Sequence, residues 1–259
     1  MACNKMKKSP PPNPIIFYDI PSDKVGCWSP NTWKIRYALN YKGLPFRTEW
    51  VEYPDIEAKC KEIGAEPTGT RDDKPLYTFP VIQDPNTGRV VSDGPKIARY
   101  LDDAYPDTPK LFPPGTEEKQ DAVFAELIQK GGPALRPLVI PPVVNILNGV
   151  SKPYFRTTRE KMFGGKLEEL VPQGEDRKAA LEHMREAFEA FAKRLDEGGP
   201  FILGDKPNFA DFIVGGFLQW FRVTLGEDSD LWQAVSVWGN GRLLKYLEDL
   251  RPYEGNPRA

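Results

Sequence analysis

Apolar positions fall into two regimes along the chain. In the first regime they come in short clusters. IIFYDI (15–20) is a compact, β-favouring run closed by Pro21, which predicts a first strand. In the segment from Pro30 to Lys42, Ile35, Ala38 and Leu39 form one stripe, with Pro30 in the opening turn and Gly43 just past the end. That arrangement predicts a helix, because proline at a helix start gives up no hydrogen bond and glycine readily terminates one. FRTEWVEY (46–53) alternates as a second strand, and the polar stretch 54–75 reads as a short helix and a loop. PVIQD and RVV flank the turn DPNTG, which predicts an antiparallel hairpin within 76–92. GPKIARYLDDAYP then places Ile97, Tyr100, Leu101 and Ala104 on one helical face, with Pro95 in its first turn.

Beyond the Pro-rich segment DTPKLFPPGT (107–116) only long helical patterns remain: TEEKQDAVFAELIQK, REKMFGGKLEELV, RKAALEHMREAFEAFAKRLDE and NFADFIVGGFLQWFRVTLG. The expected organisation is therefore a tail over 1–14 containing PPPNP, a mixed α/β domain over 15–108, and an all-helical domain over 109–259. In DKPNFADF, Asn208 is placed to cap a helix and Asp211 to return a bond to the Asn208 backbone, a structural device for pinning a helix start.

Composition narrows the function classes. With 259 residues the chain exceeds the usual size of one core, and 35 Lys plus Arg against 37 Asp plus Glu leave a net charge of −2. No basic field exists to attract nucleic acid or an anionic membrane. The start MACNKMKKSPPPNP lacks the apolar stretch of a secretory signal, and no run approaches a membrane span, so a cytoplasmic protein is expected. Cys3, Cys27 and Cys60 form no CxxC pair, which suits free thiols in a reducing compartment. A zinc site is not expected from a chain whose one histidine, His183, lies in a plain helical pattern with Leu181, Met184, Phe188 and Phe191. Ser-His-Asp chemistry is disfavoured for the same reason, and GNGRLL (239–244) and FGGK (163–166) lack the spacing of phosphate-binding loops.

Four separated segments carry a family likeness: SPNTWKIRYALNYKGLPF (29–46), TFPVI (78–82), VSDGPKIARYLDDAYP and PNFADF. In this order and spacing the chain resembles the glutathione transferases, from Ile15 to the last helix. The SPxxW opening and the long insert before TFPVI look most like the fungal FuA class, related to the bacterial β-etherases. The resemblance implies a thioredoxin-like N-terminal domain, an all-helical C-terminal domain and a homodimer. It implies no metal, with glutathione as co-substrate.

Ser29 then has two readings, a helix cap or the hydroxyl that holds a sulfur. A free thiol has a pKa of about 8.5, so little glutathione is thiolate near neutrality. A hydrogen bond donated to the sulfur and a helix N-terminus beside it both favour the charged form. The family match favours the second reading, with Asn31 also near the sulfur. Cys27 is the rival nucleophile, but in cysteine-type members the cysteine stands directly before the proline, where this chain has Ser29.

For the rest of the tripeptide, the resemblance implies a cis peptide at Pro80, with the Phe79 backbone pairing with the cysteinyl unit, and Asp93 meeting the γ-glutamyl group. The serine expected next is Gly94, which leaves Ser92 or the Gly94 N–H to fill the role. Arg71 and Lys74 are either partners of the glycyl carboxylate or solvated loop charges. An apolar cleft between the domains would take an aromatic electrophile, with Trp28, Tyr154 and Phe155 as candidate walls and Trp220 and Phe221 in aromatic-rich helix. Two functions remain open: a transferase that adds glutathione to aromatic electrophiles or cleaves them thiolytically, in detoxification of wood-derived phenolics, and a ligandin-type store for such compounds.

Overall fold

The computed structural model describes residues 13–126 and 132–258, so most of the expected tail, Cys3 and the end of TEEKQDAVFAELIQK lie outside the described residues. Four strands form the central sheet: β1 (Ile15–Asp19), β2 (Phe46–Trp50), β5 (Val81–Asp84) and β6 (Arg89–Ser92), in the order β2-β1-β5-β6. β1 runs parallel to β2 and antiparallel to β5, and β5 and β6 make the expected hairpin. Between β1 and β2 the chain crosses over through α1 (Pro30–Tyr41), and α3 (Gly94–Ala104) follows β6. This is a thioredoxin-like half, with α1 buried along nearly its whole length.

Two details depart from the expected elements. β2 stops at Trp50 and not at residue 53, because Pro54 cannot donate to a ladder and Tyr53–Asp55 turn instead into a 3-10 turn ahead of α2 (Ile56–Glu62). The stretch read as a loop contains a small hairpin, β3 (Gly69–Arg71) and β4 (Lys74–Leu76). Its two-residue turn, Asp72–Asp73, has φ of 51° and 58°, the geometry of a type I′ turn that aspartate tolerates.

The helical half comprises α4 (Glu117–Glu126), α5 (Gly132–Val139), α6 (Ser151–Phe163), α7 (Gly174–Gly198), α8 (Phe209–Leu225), α9 (Asp230–Val237) and α10 (Arg242–Leu250). The single pattern REKMFGGKLEELV is broken in two: Gly164 adopts φ of 73°, closes α6 by donating to the Glu160 carbonyl, and leaves Leu167–Leu170 as a 3-10 turn. α5 begins at Gly132 and carries Pro137, so its Gly- and Pro-rich sequence hid it.

α8 is buried along both flanks and forms the spine between the halves. Its start is capped as expected, with Asn208 Oδ1 accepting from the Ala210 N–H (3.0 Å) and Asp211 Oδ2 accepting from the Asn208 N–H (2.9 Å). Asp211 Oδ1 also accepts from the Ile202 N–H and from the Tyr246 hydroxyl, tying α8 to the preceding loop and to α10. Gly215 and Gly216 let α1 approach: a β-carbon on Gly216 would stand 2.7 Å from the Pro30 carbonyl oxygen.

The segment after α10 returns to the first domain. Asn40 donates to the Tyr253 carbonyl, Arg36 to the Asn256 carbonyl, and the Cys27 N–H to the Pro257 carbonyl (2.9 Å). Arg258 donates to the Lys24 carbonyl at 2.8 Å, so the loop before Ser29 is held from below by residues 256–258.

Candidate active site

Ser29 caps α1. Its backbone is extended, and its Oγ accepts from the Asn31 N–H at 3.3 Å, a long bond for a cap. The side chain is 5% exposed, and that exposure is onto a cavity of about 430 Å³ between the halves. In this arrangement the hydroxyl oxygen serves the helix as acceptor while its proton stays available to a partner in the cavity. The two readings of Ser29 are therefore compatible. Cys27 is fully buried with its N–H bound to Pro257, and burial pushes its thiol well above the usual range, so it is no source of thiolate.

Asn31 also lines the cavity, and its Oδ1 accepts from Lys34 Nζ at 3.0 Å. Because lysine only donates, this bond fixes the amide with its NH2 turned away from Lys34. Lys34, 8% exposed, runs from α1 to the start of α3. Burial lowers its pKa to about 8, against the opposing pull of the Asp93 carboxylate. A β-carbon on Gly94 would meet Lys34 Cε at 2.4 Å and Nζ at 3.0 Å. The absence of a serine side chain at this position thus has a steric cause: the space holds an ammonium.

The expected peptide at Phe79–Pro80 is cis, beside the start of α3. Asp93 caps α3 through Oδ1 to the Lys96 N–H (3.3 Å) and holds φ of 79°, a backbone state uncommon for a residue with a β-carbon. Ser92, 6% exposed, has a buried Oγ without a hydrogen-bond partner. A buried hydroxyl left without a partner is costly, which makes Ser92 a candidate to bond a ligand atom. Ser29, Asn31, Lys34, Ser92 and Asp93 thus gather two helix starts, two hydroxyls, one cation and one carboxylate. Among the described residues, no three His, Cys, Asp or Glu side chains group as metal ligands would.

The cavity wall combines both halves. Trp28, Tyr53 and Phe155 form a shelf of rings, with Trp28–Tyr53 centroids 5.9 Å apart and Tyr53–Phe155 centroids 5.8 Å apart. Met184, Phe188 and Phe191 of α7 and Trp220 and Phe221 of α8 face it, so aromatics at helical spacing are lining as well as core. Tyr154, in contrast, is 40% exposed and stacks on the outer side of this group against Tyr53 without lining the cavity. Arg71 and Lys74 are exposed, cross-strand neighbours in the β3–β4 hairpin, and do not line the cavity. His183 is exposed on α7. Sequence reasoning missed Tyr53, which it assigned to a strand, and Lys34 and Arg159, whose charges gave no signal of burial or of facing a cavity.

A glutathione S-transferase N-terminal domain model matches residues 28–104, and a glutathione S-transferase C-terminal domain model matches residues 120–253. A glutathione S-transferase-like protein, ustS of Aspergillus flavus, is 34% identical over 245 residues, covering 88% of this chain and 87% of its own. Among solved structures, the Ceriporiopsis subvermispora glutathione S-transferase CsGST63524, in complex with glutathione, is 46% identical with a TM-score of 0.89, covering 95% of this chain and 100% of its own. Glutathione transferase GSTFuA3 of Phanerochaete chrysosporium is 41% identical with a TM-score of 0.87, covering 93% and 98%.

Proposed function

Because the chain belongs to the glutathione S-transferase family, we propose that it activates glutathione through Ser29 and transfers it to hydrophobic aromatic electrophiles held in the interdomain cavity. The observation that carries this reading is the position of Ser29, whose oxygen caps α1 and whose side chain lines the cavity. The hydroxyl donates to the glutathione sulfur, and the positive end of α1 adds to the same preference for thiolate. A depression of about two units corresponds to about 2.7 kcal/mol, within reach of one charge-assisted bond plus a helix end. Asn31, its carbonyl occupied by Lys34, offers its NH2 to the same region.

The γ-glutamyl end fits the start of α3. Asp93 suits the ammonium, while the unpartnered Ser92 hydroxyl and Lys34 suit the carboxylate. The tripeptide backbone pairs with Phe79 ahead of cis-Pro80. With sulfur ionised, it attacks the electrophilic carbon, a C–S bond forms, and the leaving group departs with its electron pair. The thiol proton passes to solvent before the attack. The same thiolate attacking an aryl ether carbon would be thiolytic cleavage. Detoxification of phenolic compounds in the cytoplasm, by a homodimer, completes the proposal.

A storage role remains a second reading, favoured by the volume and aromatic lining of the cavity, about 430 Å³. The test is conjugation of a model aromatic halide by wild type and Ser29→Ala. A fall of at least about tenfold in kcat/KM supports thiolate activation, whereas equal rates would remove Ser29 from the chemistry. No conjugation by wild type, with undiminished dye binding, would favour storage.

A further inference from the structure

The cavity is apolar but not neutral. Among the described residues, its charged lining side chains are Arg136, Arg159 and Arg194, and no aspartate or glutamate lines it. One of these, Arg159 of α6, lies against the aromatic wall. Its guanidinium lies 4.8 Å from the Phe155 ring centroid and 5.7 Å from that of Tyr53, both walls of the cavity. Its neighbours on the helix are committed elsewhere: Arg156 to Glu160 and Glu168, and Lys161 to Asp72. Arg159 instead donates to the Thr158 hydroxyl at 3.1 Å and bonds with the Tyr53 phenol, and among the described residues no carboxylate lies within ion-pair distance of it. The indole N–H groups of Trp28 and Trp220, two further wall residues, are buried without acceptors. Among the described residues, the wall around Arg159 thus offers donors and one guanidinium and no anionic acceptor.

We propose that the cavity selects aromatic acids, planar hydrophobic molecules bearing one carboxylate, sulfonate or phenolate, with Arg159 as the anchor for that group. The proposal rests on the reading that this cavity is the site of the second substrate. A guanidinium already stacked on two rings is held in one orientation, so little freedom is lost when it binds an anion bidentately. Its placement on the aromatic shelf lets one ligand stack and pair at once. The anion would sit at the Tyr53 and Phe155 side of the cavity, leaving the rest of the ring system to reach toward Ser29.

Anilinonaphthalene sulfonate and its uncharged parent phenylnaphthylamine have the same hydrophobic body, and their fluorescence titrations without glutathione test the anchor. Wild type is expected to bind the sulfonate the more tightly. Arg159→Met is expected to weaken the sulfonate by about tenfold or more, the neutral dye by less than about twofold, and Arg159→Lys to restore part of the loss. Equal weakening of both dyes would make Arg159 a packing residue only, and an unchanged sulfonate affinity would also overturn the proposal. A third overturning outcome is loss of glutathione affinity in Arg159→Met with dye binding intact, which would assign Arg159 to the glycyl carboxylate. Charge discrimination between the dyes in a protein that fails to conjugate glutathione would sustain the anchor and sink the transferase reading instead.

Discussion

Lys34 occupies the space that a side chain on residue 94 would need, its Cε 2.4 Å from where a β-carbon of Gly94 would stand. One ammonium thereby links the starts of α1 and α3 and holds the Asn31 carbonyl. Because burial lowers the Lys34 pKa to about 8, its charge is set by conditions that also suit the reaction. The following expectations start from that relationship.

Binding of S-methylglutathione, which has no ionisable thiol, should weaken as pH rises through the Lys34 pKa of about 8. The depressed pKa also has a stability consequence: below it, folding keeps a buried charge, so this group adds stability as pH rises from 8 toward its unfolded value of about 10.4. Calorimetric titration of wild type and Lys34→Met across this range checks the first statement. Weaker binding in the variant together with loss of the pH step is the expected result, and an identical step in both proteins would refute it.

Gly94→Ser should weaken glutathione binding although it installs a hydroxyl of the usual family type, because the new β-carbon collides with Lys34. A clash with the far end of a lysine is relieved by moving that side chain, so the folded state should lose no more than about 1 kcal/mol while the site loses its cation. Pairing Gly94→Ser with Lys34→Ala should relieve the clash and recover the lost stability, while glutathione affinity stays below wild type because the cation is gone, as read by thermal unfolding and glutathione titration.

Ser29→Ala removes the cap acceptor and the proposed thiol donor together. The cap contributes about 1 kcal/mol, lowered here by the 3.3 Å length of its bond. Ultraviolet thiolate absorbance of the glutathione complex should titrate near the free value in the variant and well below it in wild type. Retention of the wild-type titration in Ser29→Ala would transfer the role to Asn31 and the helix end.

Gly216→Ala and Gly215→Ala should differ in kind. At Gly216 the new β-carbon stands 2.7 Å from the Pro30 carbonyl oxygen, backbone that cannot give way without moving the start of α1. At Gly215 the contact, at 2.5 Å, is Leu250 Cδ1, the end of a side chain. Thermal unfolding should show a loss of about 1–3 kcal/mol for Gly216→Ala and a smaller one for Gly215→Ala. Only the former should also reduce conjugation.

Acid should help at Asp211. Burial raises its pKa to about 6 even though two backbone N–H groups and Tyr246 donate to it. The folded state therefore binds a proton more tightly than the unfolded chain, and this group's contribution falls as pH rises from about 4 to 6. The melting temperature of wild type should carry that component between pH 4 and 6, and Asp211→Asn should lack it while melting lower throughout.

The parts of the fold that were legible in the sequence are those with strong local rules. The β1 run, the DPNTG hairpin, the Pro30 start and the Asn208 and Asp211 cap each follow from the chemistry of a few adjacent residues. α5 was hidden because Pro137 inside a helix contradicts propensity, and the Asp72–Asp73 turn because aspartate in a left-handed state looks like any charged loop. The candidate residues Ser29, Asn31, Ser92 and Asp93 came from the resemblance to a family and not from local rules, and the expected cis peptide before Pro80 is present. Lys34 and Arg36 stood in the same motif without an assigned task. In the folded chain Arg36 meets Asp19 at 3.4 Å and Thr48 at 3.0 Å and stacks on Phe17, Phe46 and Trp50. Burial of a charge depends on what folds over it, and a single helical stripe carries no record of that. Arg159 was missed for the same reason, since the described residues that line its cavity come largely from α1 and from α4 through α8, far apart in the chain.

The contacts of residues 256–258 with the loop before Ser29 have a consequence for how the protein is made. The Cys27 N–H finds its acceptor at Pro257, and Gly26 faces that same carbonyl closely enough that a β-carbon there would stand 2.5 Å from the oxygen. A ribosome that has released the whole thioredoxin-like half has therefore not yet produced the floor under its serine. The nascent sheet can pair early, but the seat of the sulfur is completed only when synthesis has passed Pro257.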